Sequence, residues 1–345
     1  MRDLKIDSLK GFLIICVLWG HMCVLVTGLT NADATLWNTF FELINTYFPV
    51  YYFHMPLFFA LSIIFVRSIN FELVKKRVLT ILFPYVFWFV WPHLDTGLIH
   101  PLVTIKHLLY GNWINIVSIL WFLPALFSVN IYYALYRKYS HKKYVGIFFV
   151  LAGIIFLLAK SIAQTYHVMI PFGLDLAIYL FPYLFIIDTI YKHKHFFTKY
   201  NKWYALLLIP VGISAVRLID YYEPMKDYTP YIARIDLAQF SVPFTVIGYG
   251  AMMLLSSAIV IFFLIINPVK ILSYIGKYSM PIYLLHLVVM GKLIMIYNKV
   301  ILLNNPRLFL VVILISFSII IISSIVISKL LTKLSKYAKY IGMVA

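Results

Sequence analysis

Ten runs of about 16 to 23 mostly apolar residues follow one another along the chain, with almost no charge inside them. They cover about 11–30, 49–66, 79–95, 114–135, 144–159, 172–191, 203–219, 244–266, 279–297 and 307–328. A helix needs roughly 20 such residues to cross a bilayer. Inside lipid every backbone N–H and C=O must be satisfied within the segment, which a helix achieves. The predicted fold is therefore all-α: a polytopic transmembrane helix bundle of about ten spans, one integral membrane domain over residues 1–345. Composition excludes the alternatives. Charged residues make up 12% of the chain, against about 25% in soluble domains. The 28 Phe, 27 Tyr and 7 Trp exclude a disordered chain. Cys16 and Cys23 share one apolar run, which leaves no disulfide framework and no cysteine metal site.

The loops set the expected topology. With the N-terminus inside, the cytoplasmic segments hold 21 of the 29 Lys and Arg residues. The positive-inside rule then places both termini in the cytoplasm. The net charge of +17 is spread along loops, so no basic domain is left to bind nucleic acid. The first run follows basic residues like a signal peptide, but no clean cleavage site follows and His21 lies within it, so it is read as a retained helix. Leu308 to Ile327 is almost pure Leu, Ile, Val, Phe and Ser and is expected to face lipid. The acidic stretch from Asp220 to Asp236, with Glu223 and Asp227, is read as an outer loop that covers or contacts a substrate.

Ionisable groups at membrane depth are costly and mark function by default. His21 stands roughly 15 Å into the first helix, His286 roughly 10–12 Å into the ninth and His54 roughly 18 Å from the inner end of the second. Histidine is the natural base near neutral pH, with an unperturbed pKa of about 6.5. Three imidazoles at one level form a site if their helices are neighbours; otherwise each hydrogen-bonds to an adjacent helix. Asp7 is roughly 21 Å from His21 along a straight helix, too far to orient it. It is expected to pair with Lys10 or to cap the first helix.

Lys75, Lys76 and Arg77 open the third apolar run. Two readings stay open: an anchor on anionic lipid, or a clamp for the phosphates of a cosubstrate such as coenzyme A. No Gly-rich phosphate loop, no HExxH motif and no paired acidic motif occurs, so no metal is expected. His193 and His195 are read as part of a solvated loop.

Taken in order, five segments resemble the acyltransferase-3 family, bacterial membrane enzymes that O-acylate cell-surface glycans, and within it the fucose-4-O-acetylase-like branch. They are KIDSLKGFLIICVLWGH (Lys5, Asp7, Lys10, Gly11, His21), FHMPLFFALS (Phe53 to Ser62), KKRVLTILFPYVFW (Arg77, Pro84, Tyr85, Trp88), LWFLPALF (Leu120 to Phe127) and IGKYSMPIYLLH (Ile275 to His286). Two positions depart from the pattern. Ile63 stands where the family usually has Gly, and Thr80 where a second Arg often follows the first.

The resemblance implies a multi-pass enzyme of the bacterial plasma membrane. It would move an acyl group, acetyl by default, from acyl-CoA to a hydroxyl of a surface glycan such as an exopolysaccharide, or of its lipid-linked precursor. His21 becomes the essential histidine, as base or transient acyl carrier, with Asp7 a support and His54 and His286 lining the site. Arg77, Lys10 and Lys76 become the contacts for the cosubstrate. No cofactor is tightly bound; acetyl-CoA is a cosubstrate, and the partners are the glycan acceptor, membrane lipid and glycan-assembly membrane proteins. The competing reading is a transporter or flippase for lipid-linked sugars with the histidines as a proton relay. Such proteins commonly carry inverted repeats, and none is visible in the sequence.

Overall fold

A computed structural model describes residues 3–27, 49–91, 100–109, 119–162, 170–197, 199, 202–222, 242–297 and 306–343. Every described element is helical. The helices are α1 (Leu4–Thr27), α2 (His54–Ile63), α3 (Phe71–Arg77), α4 (Phe83–Val90), α5 (Pro101–Leu109), α6 (Phe122–Tyr139), α7 (Val145–Ile162), α8 (Leu174–Tyr179), α9 (Phe181–Lys192), α10 (Lys194–Phe197), α11 (Lys202–Tyr222), α12 (Val242–Ile265), α13 (Lys270–Lys277), α14 (Ser279–Tyr297) and α15 (Pro306–Leu334). Each of the ten apolar runs contains helix. Among the described residues, two stretches are long and apolar enough to cross a membrane, Val246–Ile265 and Ile313–Leu334, or three if the bent pair Pro171–Tyr179 and Phe181–Lys192 counts as one. Glu223, Asp227 and Asp236 of the expected outer loop lie outside the described residues, as does the side chain of Asp220.

Proline explains why several runs are broken rather than straight. Pro84 has no N–H to give the carbonyl one turn back, and the chain passes from α3 to α4 through a π-helical turn, Val78–Leu82. Pro182 opens α9 in the same way, and α8 meets α9 at 64°. Tyr249 of α12 repairs this second break. Its hydroxyl donates to the Tyr179 carbonyl at 2.8 Å and accepts from the Tyr183 N–H at 3.3 Å. Tyr249→Phe leaves both backbone groups buried without that partner, at about 1–3 kcal/mol. Thermal unfolding in detergent is expected to show a lower Tm with unchanged expression.

Asp3, not Asp7, caps α1. Its Oδ1 accepts from the N–H groups of Lys5 and Ile6 at 3.0 and 3.4 Å, the work of a residue just before the first turn. Burial alone would raise the Asp3 carboxyl pKa. The Tyr191 hydroxyl at 2.8 Å and the Lys194 ammonium at 3.2 Å outweigh burial and hold the carboxyl below its usual value. Asp7 is instead buried one turn further along, where α1 crosses α13.

Helix ends rich in Lys and Arg gather at this end of the bundle. The Lys5 ammonium donates to the carbonyl of Leu264 at the end of α12. Ser273 of α13 donates to the Leu4 carbonyl at 2.9 Å, and Lys329 of α15 lies over the Tyr274 and Tyr278 rings. Asp188, almost fully buried, bonds Arg137 at 2.7 Å, the Tyr133 hydroxyl at 2.7 Å and Lys192 at 2.8 Å, tying α6 to α9. A buried carboxylate is tolerated when its oxygens are satisfied in this way.

The exterior is apolar where it would meet lipid. α15 exposes Leu314, Ile315, Ile322, Val326 and Leu330, and α7 exposes Ile147, Phe148, Leu151, Ile154 and Ile155. Water would not tolerate contiguous faces of this size, but hydrocarbon does.

Candidate active site

Two segments of similar design form the centre. α1 and α13 cross at Gly11 and Gly276 with their backbones in contact. A Cβ at Gly276 would stand 1.9 Å from the Asp7 carbonyl oxygen, and one at Gly11 would stand 2.0 Å from that of Leu272. Only glycine permits this approach. From that crossing each chain runs ten residues to a histidine, His21 on α1 and His286 on α14, and the two rings stand 5.1 Å apart between centroids.

His54 joins from α2 through an aromatic neighbour. The Tyr51 ring packs edge-on against His54 at 5.4 Å, and its hydroxyl donates to the carbonyl of Gly20, next to His21, at 2.9 Å. Backbone carbonyls fix two of the three imidazoles. His286 Nδ1 faces the Tyr283 carbonyl at 2.7 Å, and His54 Nδ1 faces the Val50 carbonyl at 2.5 Å. A carbonyl only accepts, so each Nδ1 carries the proton and Nε2 carries the lone pair in the neutral ring. His286 Nε2 is buried and has no hydrogen-bond partner among the described residues.

A cavity of about 400 Å³ lies beside this group, walled off from the three imidazoles by their neighbours. Its wall includes Val17, one turn before His21; Met55, beside His54; and Tyr283, whose ring is 6.0 Å from that of His286. At the other end stand Lys10 and Arg77, with Thr80 beside them. Arg77 Nε is buried and has no hydrogen-bond partner among the described residues. The cations in the cavity wall are therefore Lys10 and Arg77. Lys76 and Lys75 are exposed and lie outside the cavity wall. Successive helical residues point about 100° apart, so three adjacent cations cannot face one cavity. Thr80, three residues from Arg77, does face it, so the place of the family's second Arg holds a hydroxyl.

Asp7 does not reach the histidines; it sits at the Gly11–Gly276 crossing, about 21 Å back along α1. Asn130, Ser62 and Tyr283 also belong to the wall, and sequence reasoning alone does not mark them as site residues. Asn130 is a fully buried polar side chain in an apolar run, and that polarity is the signal that could have found it.

The acyltransferase-domain family profile matches residues 3–328, nearly the whole chain. The chain belongs to the acyltransferase-3 family. This acyltransferase is also 30% identical, over 134 residues, to the nodulation protein NolL of Mesorhizobium japonicum. The match covers 36% of this chain and 34% of NolL, so the chain spans about a third of the relative's length. No solved structure matches it. The profile takes in the Gly11–Gly276 crossing, all three histidines and both cavity cations.

Proposed function

We propose that the enzyme transfers an acyl group, acetyl in the simplest case, from acyl-CoA to a hydroxyl of a surface glycan or its lipid-linked precursor. One observation carries the reading: a single cavity has Lys10 and Arg77 in its wall together with Val17, Met55 and Tyr283, the neighbours of His21, His54 and His286. An acyl donor of this class has phosphates at one end and a thioester at the other. The phosphates pair with Lys10 and Arg77 at the cytoplasmic mouth. The acyl–pantetheine arm fills the cavity and brings the thioester to the histidines, away from water.

His21 takes the proton of the acceptor hydroxyl as its oxygen attacks the thioester carbonyl. The C–S bond then breaks, the ester forms, and the released thiolate regains a proton. His286 presents a lone pair on Nε2 beside His21 and holds or passes that proton. Its bond to Tyr283 keeps the basic nitrogen inward, the role an orienting partner plays for a catalytic histidine. Family membership supports acyl transfer in general; the cavity's charges support the donor, and the resemblance to glycan O-acylating enzymes supports the acceptor.

Mass spectrometry of surface glycans from cells with and without the gene tests the activity; identical acyl content would refute it. Arg77→Ala tests the donor site. It should raise the KM for acyl-CoA about tenfold to a hundredfold and leave the KM for the acceptor within twofold. An unchanged donor KM would return Arg77 to the role of lipid anchor.

A further inference from the structure

The cavity wall holds a buried amide whose orientation is dictated by its neighbours. Asn130 of α6 is fully buried. Its Nδ2 stands 2.8 Å from the Leu126 carbonyl, which can only accept, and 2.9 Å from Ser62 Oγ. The Ser62 hydroxyl hydrogen is already given to the Phe59 carbonyl at 2.7 Å, so Ser62 also accepts from Asn130. Both Asn130 N–H bonds are therefore spent, and the amide cannot be turned over without facing Leu126 with two acceptors. Oδ1 is left buried and has no partner among the described residues. Leaving such an acceptor unpaired is costly, and buried unsatisfied groups in native proteins call for a reason. Asn130 and Ser62 both line the cavity. Ser62 lies eight residues, about 12 Å, along α2 from His54, towards the cationic mouth. Phe65, one turn on, packs against Tyr191, which bonds the α1 cap Asp3.

We infer that Asn130 Oδ1 accepts a hydrogen bond from a secondary amide N–H of the donor's pantetheine arm. This rests on the acyl-CoA reading above and adds a binding residue to it. The station fits the ligand: phosphates lie at Lys10 and Arg77, the thioester at the histidines, and the amide-bearing arm between them. Ser62 is then a positioning residue, which fixes the Asn130 amide without touching the donor.

Binding of coenzyme A to the full-length protein in nanodiscs tests this without relying on a variant. Two analogues, each with one pantetheine amide replaced by an ester, lack one N–H apiece. The wild type is expected to bind one analogue about tenfold more weakly than coenzyme A and the other equally well. Asn130→Leu is expected to bind coenzyme A about tenfold more weakly and to show no further loss with either analogue, the signature of a direct pair. Two results would overturn the assignment while leaving acyl-CoA as donor: equal binding of all three compounds by the wild type, or an Asn130→Leu protein that still discriminates between them. If the wild type binds no coenzyme A at millimolar concentration, the donor reading fails and this inference fails with it.

Discussion

Replacing His21 with alanine is expected to reduce acyl transfer about 10²- to 10⁴-fold, the usual worth of a positioned general base. Abundance in the membrane should stay normal. The change removes a ring that faces His286 across 5.1 Å and leaves the α1–α13 crossing, ten residues away, untouched. His286→Asn is the informative companion. Asn retains an N–H for the Tyr283 carbonyl but has no basic nitrogen to place where Nε2 stands. If the two histidines work as one unit, the double variant is no slower than the slower single variant, because groups acting together are strongly non-additive. Additive losses would separate their roles. Wild-type acyl content on the glycans of His21→Ala cells would refute the assignment of His21 as base. Loss of glycan export with normal acylation per glycan would favour the transporter reading instead.

Much of this arrangement is legible in the sequence, and the missing parts share a physical cause. Apolar content and run length foretell helix in each of the ten runs, because a helix is the open-ended segment that satisfies its own backbone in lipid. They do not report where a run bends. Pro84 follows a π turn and Pro182 stands at a 64° break, and the apolar pattern alone gives neither. The histidines stand out because charge-capable residues are so scarce. That His21 and His286 meet depends on the crossing of two segments 265 residues apart, which no local spacing encodes. The cluster of cations at 75–77 shows the same limit. Three adjacent cations at 75–77 look like a unit in sequence, yet helical geometry sends Arg77 inward and leaves Lys75 and Lys76 outside, and Lys10 arrives from another helix. Asn130 and Ser62 look like ordinary polar residues until their hydrogen bonds are counted. Asp3 is inconspicuous as a cap because Asp7, four residues on, lies within the more prominent motif.

The second large effect is predicted at Gly276, which never touches the chemistry. A Cβ there would lie 1.9 Å from the Asp7 oxygen and 2.6 Å from the Gly11 nitrogen, and both are backbone atoms on a packed helix. A flexible side chain can swing away from a new methyl group, whereas a helix backbone moves only as a body. Gly276→Ala should therefore cost at least the roughly 1–3 kcal/mol typical of overpacking, and Gly276→Leu should abolish accumulation of folded protein. Whatever alanine variant does fold must separate α1 from α13, and the displacement is carried along both segments to the histidines. Misplacing reacting groups by about 1 Å can cost about 10²-fold in rate, so kcat should fall while donor KM moves little. Gly250 supplies the control: it is helical, and a Cβ added there would meet nothing within 4 Å, so Gly250→Ala should leave Tm and rate unchanged or slightly raise Tm. Thermal unfolding in detergent and steady-state kinetics on both variants decide the matter. A Gly276→Ala enzyme with wild-type Tm and kcat would mean that the crossing does not set the distance between His21 and His286.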